Sequence, residues 1–268
     1  MTAAPTAEVN EPVLLREDSG RVAVLTLNRP KAMNALSSDL IAALDQEFDR
    51  LAADKEIRVV VIQANGRAFS AGHDLREVRS SSEYGFHHAL VTSCSAMMLK
   101  IRALPQPVIA KVRGIATAAG CQLVAACDLA IAADDAKFAT PGVNIGLFCG
   151  TPSVPLGRNV GAKRALDMLL TGEPVSAETA LRDGLLSRVV PAAELDAAAM
   201  ALARHIATKS PLVLAQGKEL FHKHMEMDLA QAYAYASAYM AGAMMREDAR
   251  IGIDAFVGKR PQPEWTGR

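Results

Sequence analysis

Gly114-Ile-Ala-Thr-Ala-Ala-Gly-Cys-Gln122-Leu-Val-Ala-Ala-Cys-Asp-Leu129-Ala-Ile-Ala-Ala133 is the stretch that decides the fold. Its small-residue run, Ala118 to Ala126, suits a helix packed tightly against its neighbours, and Leu129 to Ala133 reads as the strand that follows. Ala119 to Gln122 are thereby placed at a helix N-terminus. Working upstream, Pro105-Gln-Pro107 introduces the strand Val108 to Val112, and the polar stretch Arg76 to Tyr84 leads into a helix ending near Leu104. Two earlier segments, Arg21 to Asn28 and Arg58 to Ala64, carry β-branched runs of buried-strand type. Between them Leu40, Ile41, Leu44, Phe48 and Leu51 recur at helical spacing behind the start signal Ser37-Ser38-Asp39. Strand, helix, strand is the repeating unit this pattern suggests. Downstream of about Gly161 strands become scarce and helical patterns follow one another: Ala162 to Leu170, Ser176 to Asp183, Leu195 to Lys209, Pro211 to His222 and Leu229 to Arg246. The expected organisation is a lead-in over residues 1–12, an α/β core over 13–200 and a helical region over 201–268. In that last region Tyr233, Tyr239, Met240, Met244 and Met245 form a stripe that fits either an intersubunit surface or an internal core.

Composition narrows the function. The 29 basic residues equal the 29 acidic ones, so no global field favours nucleic acid. Cys94, Cys121, Cys127 and Cys149 show no short paired spacing with histidine, so neither a zinc site nor a disulfide framework is expected, and reduced, cytoplasmic thiols are the plain reading. Met1 to Pro12 are rich in Ala, Thr and Pro and are expected to be a disordered lead-in, and no basic residue precedes Arg16, so a signal or transit pattern is not expected. Apolar stretches such as Leu123 to Ala133 are too short or too interrupted to cross a bilayer.

Three strings carry a resemblance. They are Phe69-Ser-Ala-Gly72-His73-Asp-Leu, the Gly114 to Leu123 segment, and Phe138-Ala-Thr-Pro-Gly142-Val-Asn-Ile-Gly. In this order they resemble the crotonase superfamily of enoyl-CoA hydratases and isomerases, over about Val22 to Arg260. The resemblance implies a spiral of β-β-α turns with a C-terminal helical trimerisation region, and a homotrimer or a hexamer made of two trimers. It implies an acyl-CoA ligand, with coenzyme A as part of the substrate and no separate cofactor or metal. The thioester oxygen would sit between the backbone N–H groups of His73 and Ala119, an oxyanion hole that stabilises charge developing on the carbonyl. Coenzyme A would lie along Arg29, Lys31, Ala32 and the Ser70, Ala71, Asp74, Leu75 loop. The Phe256 to Lys259 ending would reach a neighbouring subunit's coenzyme A. Lys31 and Lys259 are the candidate phosphate partners. One departure stands out: the family writes three glycines before Cys121, whereas this chain has Ala118-Ala119-Gly120, expected to narrow the pocket or displace the donor.

In hydratases of this family two glutamates hold a water and exchange protons. Here Gln122 and Gly142 stand at those positions. An amide does not titrate usefully and a glycine has no side chain, so ordinary hydration is expected to be lost. Replacement groups within the signatures are His73, Asp74, Thr140, Asn144 and Cys149. His73 titrates near neutral pH, yet its side chain is expected to point away from the pocket. Asp74 is expected to cap the next turn, and Cys149 reads equally as a buried thiol or a nucleophile. His87 and His88 are expected at a solvated helix end. The chain also resembles methylmalonyl-CoA decarboxylase in its Ser-Ala-Gly-His73-Asp and Val-Asn144-x-Gly strings, with Cys149 in place of that enzyme's tyrosine. The readings this leaves are an acyl-CoA enzyme, including a decarboxylase or isomerase, and an acyl-CoA binder without catalysis.

Overall fold

In the computed structural model, residues 11–268 are described. Of the expected lead-in, residues 1–10 lie outside them. The elements alternate from the start: β1 (Leu14–Ser19), β2 (Val22–Leu27), α1 (Ser38–Ala53), β3 (Val59–Ala64), β4 (Ala68–Ser70), α2 (Leu75–Arg79), α3 (Tyr84–Ala103), β5 (Val108–Val112), β6 (Ile115–Thr117), α4 (Ala119–Ala126), β7 (Leu129–Ala133) and β8 (Lys137–Ala139). Then come α5 (Gly150–Asn159), α6 (Ala162–Thr171), β9 (Val175–Ser176), α7 (Ala177–Arg182), β10 (Arg188–Val190), α8 (Leu195–Ala207), α9 (Pro211–His224), α10 (Leu229–Met244) and α11 (Glu247–Val257).

Two sheets result. The larger runs β1-β2-β3-β5-β7-β10, parallel except for the β1/β2 pair, and the smaller runs β4-β6-β8-β9. Three successive turns, beginning at β3, β5 and β7, each place a strand in the large sheet, a three-residue strand in the small one, and then a helix. The sequence pattern suggested strand, helix, strand; it missed β4, β6 and β8 because three residues are too few to show a period. The β-β-α spiral implied by the resemblance is what forms.

Alternation along the central strands divides the core. Val60, Ile62, Val108 and Ala110 face α1, α3 and α4, whereas Val59, Val61, Ile109 and Ile131 face Leu195, Ala199, Leu202 and Ala203 of α8. α1 begins as its signal suggests, with the Ser37 side chain accepting from Leu40 N–H, and it buries Leu40, Ile41, Leu44, Phe48 and Leu51. α8 spans the expected boundary at residue 200, because it covers the second face of the sheet. No residue of α10 is buried, and Tyr233, Met240, Met244 and Met245 are exposed. An internal core is thus ruled out for that stripe within the chain. Among the described residues no helix is long and apolar enough to cross a membrane.

Candidate active site

The His73 loop is held by a short parallel bridge. Leu36 N–H donates to Gly72 O (2.7 Å) and Asp74 N–H donates to Leu36 O (3.2 Å). In such a bridge the middle residue, His73, turns its own N–H to the opposite side. A methyl built on Gly72 would lie 3.2 Å from Ala119 N and 2.8 Å from Ala118 Cβ, so the loop abuts the first turn of α4. Ala119 is the first residue of that helix, where N–H groups lack an intrahelical partner and the dipole favours negative charge. Neither the His73 nor the Ala119 N–H donates to a protein acceptor among the described residues. Two free donors on adjoining segments is the arrangement an oxyanion needs.

Ala118 adopts φ 49°, ψ −119° as the residue before α4, a region glycine tolerates and alanine resists. The donor is therefore not displaced by alanine avoiding positive φ. Instead the backbone is retained under strain of about 1–3 kcal/mol, with Ala118 N–H held to Ala139 O at 2.9 Å. Close packing explains Gly120, since a methyl there would collide with Ser70 O. Ser70 is fully buried, and its hydroxyl accepts from Gly72 N–H at 3.3 Å.

Gln122 is 4% exposed, and its Oε1 is buried without a hydrogen-bond partner. The residue lies on the wall of a cavity of about 850 Å³ between α3, α4, α5 and α9, whose apolar lining includes Met98, Ala125, Val154, Leu214 and Phe221. Asp128, Lys218 and His222 form another part of the wall. Lys218 Nζ donates to Asp128 Oδ2 (2.7 Å), Ile101 O (2.8 Å) and Gln106 O (3.1 Å), and His222 Nε2 lies 3.3 Å from Asp128 Oδ1. Burial pushes the Lys218 amine down and Asp128 opposes that.

The position of Gly142 is filled from outside. A methyl on it would lie 2.5 Å from Leu147 O and 2.9 Å from Cys149 Sγ. Leu147 N–H donates to Gly142 O (2.9 Å) and Gly142 N–H to Cys149 Sγ (3.3 Å), so the 142–149 turn closes on itself. Burial raises the Cys149 thiol, which the Gly142 bond partly offsets. Of its two readings, the buried thiol is the one the surroundings favour. Thr140 is buried with an unpartnered Oγ1. Asn144 is exposed, its Nδ2 beside Gly172 at the end of α6, and it is not on the cavity wall.

His73 is likewise absent from that wall. Its Nε2 is buried without a partner, burial lowers its pKa, and Glu77 on α2 pulls the other way. Asp74 caps α2 by accepting from Arg76 N–H, and its other oxygen accepts from Arg29 at 2.9 Å. That pair ties the Arg29–Ala35 loop to the His73 loop, and the Arg29 hydrogen bond is the main reason the Asp74 carboxyl is held low. Buried Asn34 continues the tie through Asn65 O and Ala68 O. Ala71 joins through Met33 O. Lys31, Ala32 and Leu75 are exposed beside this junction. Phe256, 86% exposed, and Lys259 lie at the end of α11, off the cavity wall. His88 is exposed in the first turns of α3 and His87 half-buried there, and neither lines the cavity.

Sequence reading missed the part α9 plays in the cavity. A signal was present: Leu214, Gly217, Lys218 and Phe221 share one helical face, so a lysine stands on an apolar stripe.

Comparison with known proteins fits this geometry. A family model described as enoyl-CoA hydratase/isomerase matches residues 17–268. The mouse (Mus musculus) mitochondrial enoyl-CoA hydratase domain-containing protein 3 is 44% identical over 267 residues, covering 99% of this chain and 88% of that one. Its human (Homo sapiens) counterpart is 47% identical over 242 residues, covering 90% and 80%. Among solved structures, an enoyl-CoA hydratase from Mycobacterium smegmatis superposes with a TM-score of 0.93 at 51% identity, covering 95% of this chain and 99% of that one. The human domain-containing protein 3 gives 0.92 at 44%, covering 94% and 100%. By fold, signature order and these matches, the chain belongs to the enoyl-CoA hydratase/isomerase family.

Proposed function

We propose that this protein binds an acyl-CoA thioester and polarises its carbonyl between the N–H groups of His73 and Ala119, without carrying out ordinary hydration. The observation that carries the reading is the contact between Gly72 and the first turn of α4, which brings two unpaired backbone donors onto adjoining segments. Gln122, one turn beyond Ala119 on α4, lines the largely apolar cavity, which is the proposed place for the acyl group; neither His73 nor Ala119 lines it. Coenzyme A would follow the laced Arg29–Ala35 and Ser70–Leu75 loops, and no separate cofactor is required. Hydration by a pair of carboxylates has no support in these residues, since Gln122 is an amide and Gly142 is walled by Leu147 and Cys149. Reactions that need an oxyanion hole but no starting base, such as loss of CO₂ from a malonyl-type thioester, fit such a site.

A reading without catalysis is favoured by one observation, the closed 142–149 turn, which leaves no room for a second acid or base there. One screen tests both. Purified protein is incubated with enoyl-, hydroxyacyl-, malonyl- and methylmalonyl-CoA and followed by mass spectrometry and melting temperature. At a hundredfold excess over Kd, binding stabilises by about 2.7 kcal/mol, roughly 5–10 °C for a chain of this size. A melting shift with conversion of one thioester supports an enzyme, and a shift with every thioester unchanged supports a binder. No shift with any thioester defeats the proposal. The setting proposed is a reducing, cytoplasmic one, resting on four free thiols. Assembly as a trimer or hexamer is proposed from the exposed apolar side chains of α10 and α11, among them Tyr233, Met244 and Phe256.

A further inference from the structure

We propose that Arg21, Arg58 and Arg204 form a second binding site, distinct from the proposed thioester site, that takes a small soluble anion carrying a phosphate or pyrophosphate group. The inference goes beyond the acyl-CoA reading and does not rest on it. The three side chains line one open pocket of about 450 Å³ and come from three parts of the fold: the β1–β2 turn, the residue before β3 and the last turn of α8. Val22 and Val59, the first residues of β2 and β3, are paired, so the pocket lies at the N-terminal edge of the large sheet. β3 leads away from it toward β4 and the His73 loop, and its six residues span about 20 Å. Ala119 likewise follows the far end of β5. The pocket and the oxyanion donors thus stand at opposite ends of the sheet.

What makes this pocket an anion site is charge without counter-charge. No acidic residue lines it, and among the described residues none of the three arginines pairs with a carboxylate. Asp18, next to the turn, is held by Arg16 instead, at 2.8 Å. Arg58 is fixed through Nη1, which donates to Ala207 O (3.1 Å), while its Nε is buried without a partner and its Nη2 meets no protein acceptor among the described residues. The C-terminal end of a helix ordinarily repels anions, because its carbonyls are unsatisfied. Here they are taken: Ala207 O by Arg58, Thr208 O by Gln262 and by Trp265 Nε1 (2.7 Å), and His205 O by Thr208 Oγ1. Guanidinium groups match phosphate oxygens through pairs of parallel N–H···O bonds, and a phosphate monoester brings about two negative charges at neutral pH. The recess presents no exposed large apolar side chain to a membrane, which favours a soluble anion over a lipid headgroup.

Isothermal titration of sodium pyrophosphate into the full chain at physiological ionic strength is expected to show one saturable site per chain. Arg21→Ala and Arg204→Ala, both at exposed positions, are each expected to weaken it about tenfold or more, as loss of a hydrogen bond to a charged group does. Arg58 is left in place because it also holds the end of α8. Arg188→Ala, which removes an exposed arginine outside the pocket, leaves the affinity unchanged. Saturating butyryl-CoA leaves it unchanged too, and phosphatidylcholine vesicles containing phosphatidic acid do not bind. The proposal is overturned if pyrophosphate does not bind, if Arg21→Ala and Arg204→Ala bind it as wild type does, or if Arg188→Ala weakens it equally. Competition by butyryl-CoA, which would put the anion at the thioester site, also overturns it, as does attachment to the vesicles.

Discussion

Replacing Gly142 by alanine introduces one carbon where the structure leaves no room for it. The backbone at Gly142 lies outside the left-handed region, so alanine meets no conformational barrier there. The added Cβ lies 2.5 Å from Leu147 O and 2.9 Å from Cys149 Sγ. A thiol can rotate away, but a carbonyl oxygen moves only with its backbone, so the 142–149 turn has to open. Overpacking of this kind costs about 1–3 kcal/mol. Opening also strains the Leu147 N–H to Gly142 O bond and the Gly142 N–H to Cys149 Sγ bond, adding about 1 kcal/mol for each one broken. Against this stands a gain of roughly 0.5 kcal/mol from a less flexible unfolded chain. The expected net loss is about 2–3 kcal/mol, read by urea unfolding followed by far-ultraviolet circular dichroism at fixed protein concentration. Gly142→Glu costs more, because it adds a carboxylate to the same closed space. The Gln122→Glu/Gly142→Glu double variant is therefore expected to leave crotonyl-CoA hydration at background. Gly142→Ala with wild-type stability, or a double variant that hydrates crotonyl-CoA, would refute the claim that the turn has closed over this position.

Three further outcomes are expected. Ala118→Gly relieves the strain at φ 49°, ψ −119° at a smaller entropic cost, for a net gain of about 0.5–2 kcal/mol; an unchanged or lowered melting temperature contradicts the strain argument. Asp74 has a folded pKa below its ordinary 3.8 because Arg29 donates to it, so its contribution is fully present above that value and is lost as the pH falls through the folded pKa. Asp74→Asn is thus expected to flatten the acid limb of the stability profile below about pH 4, and an acid limb identical to wild type counts against the Arg29 tie. Buried Asp248 gathers the C-terminal tail by accepting from Ser210 Oγ, Thr266 N–H and Oγ1, and Gly267 N–H, while Trp265 Nε1 donates to Thr208 O at 2.7 Å. In Asp248→Ala the emission of Trp265, the single tryptophan, is expected to shift to the red, and an unmoved spectrum means that the tail does not depend on this carboxylate.

Legibility in the sequence followed the length and regularity of each signal. β5 and β7 were readable to the residue, because a five-residue strand, apolar except for Lys111 in β5, bounded by Pro107 or Asp128 leaves little freedom in placing its ends. α1 was readable through Ser37 and its five buried apolar positions. The three-residue strands of the small sheet were not, nor was α5, where Gly157 and Pro155 mask the helix. At the site, the strings around His73, Ala119, Gln122 and Gly142 were readable through resemblance, since those positions fall inside continuous motifs. What could not be read was the environment of each: the Leu147 carbonyl on Gly142, the Asp74 to Arg29 tie, and the face that α9 turns to the cavity. All three arise between segments distant in sequence or from backbone atoms, which every residue shares and no residue type announces.

Residues 122 and 142, where the family resemblance leads one to expect carboxylates, sit in contrasting surroundings. At residue 122 an amide side chain close to glutamate in size lies at the cavity wall with its Oε1 buried and unpaired. Residue 142 has no side chain, and a methyl there would meet Leu147 O and Cys149 Sγ. Ala118, next to the Ala119 donor, adopts a region costing about 1–3 kcal/mol. The surrounding contacts impose that conformation: the Ala139 carbonyl holds the Ala118 N–H, and Gly72 packs against the Ala118 methyl. The thioester-polarising role proposed above rests on the strained backbone beside the Ala119 N–H, while the closed turn at Gly142 leaves no room there for an acid or base side chain.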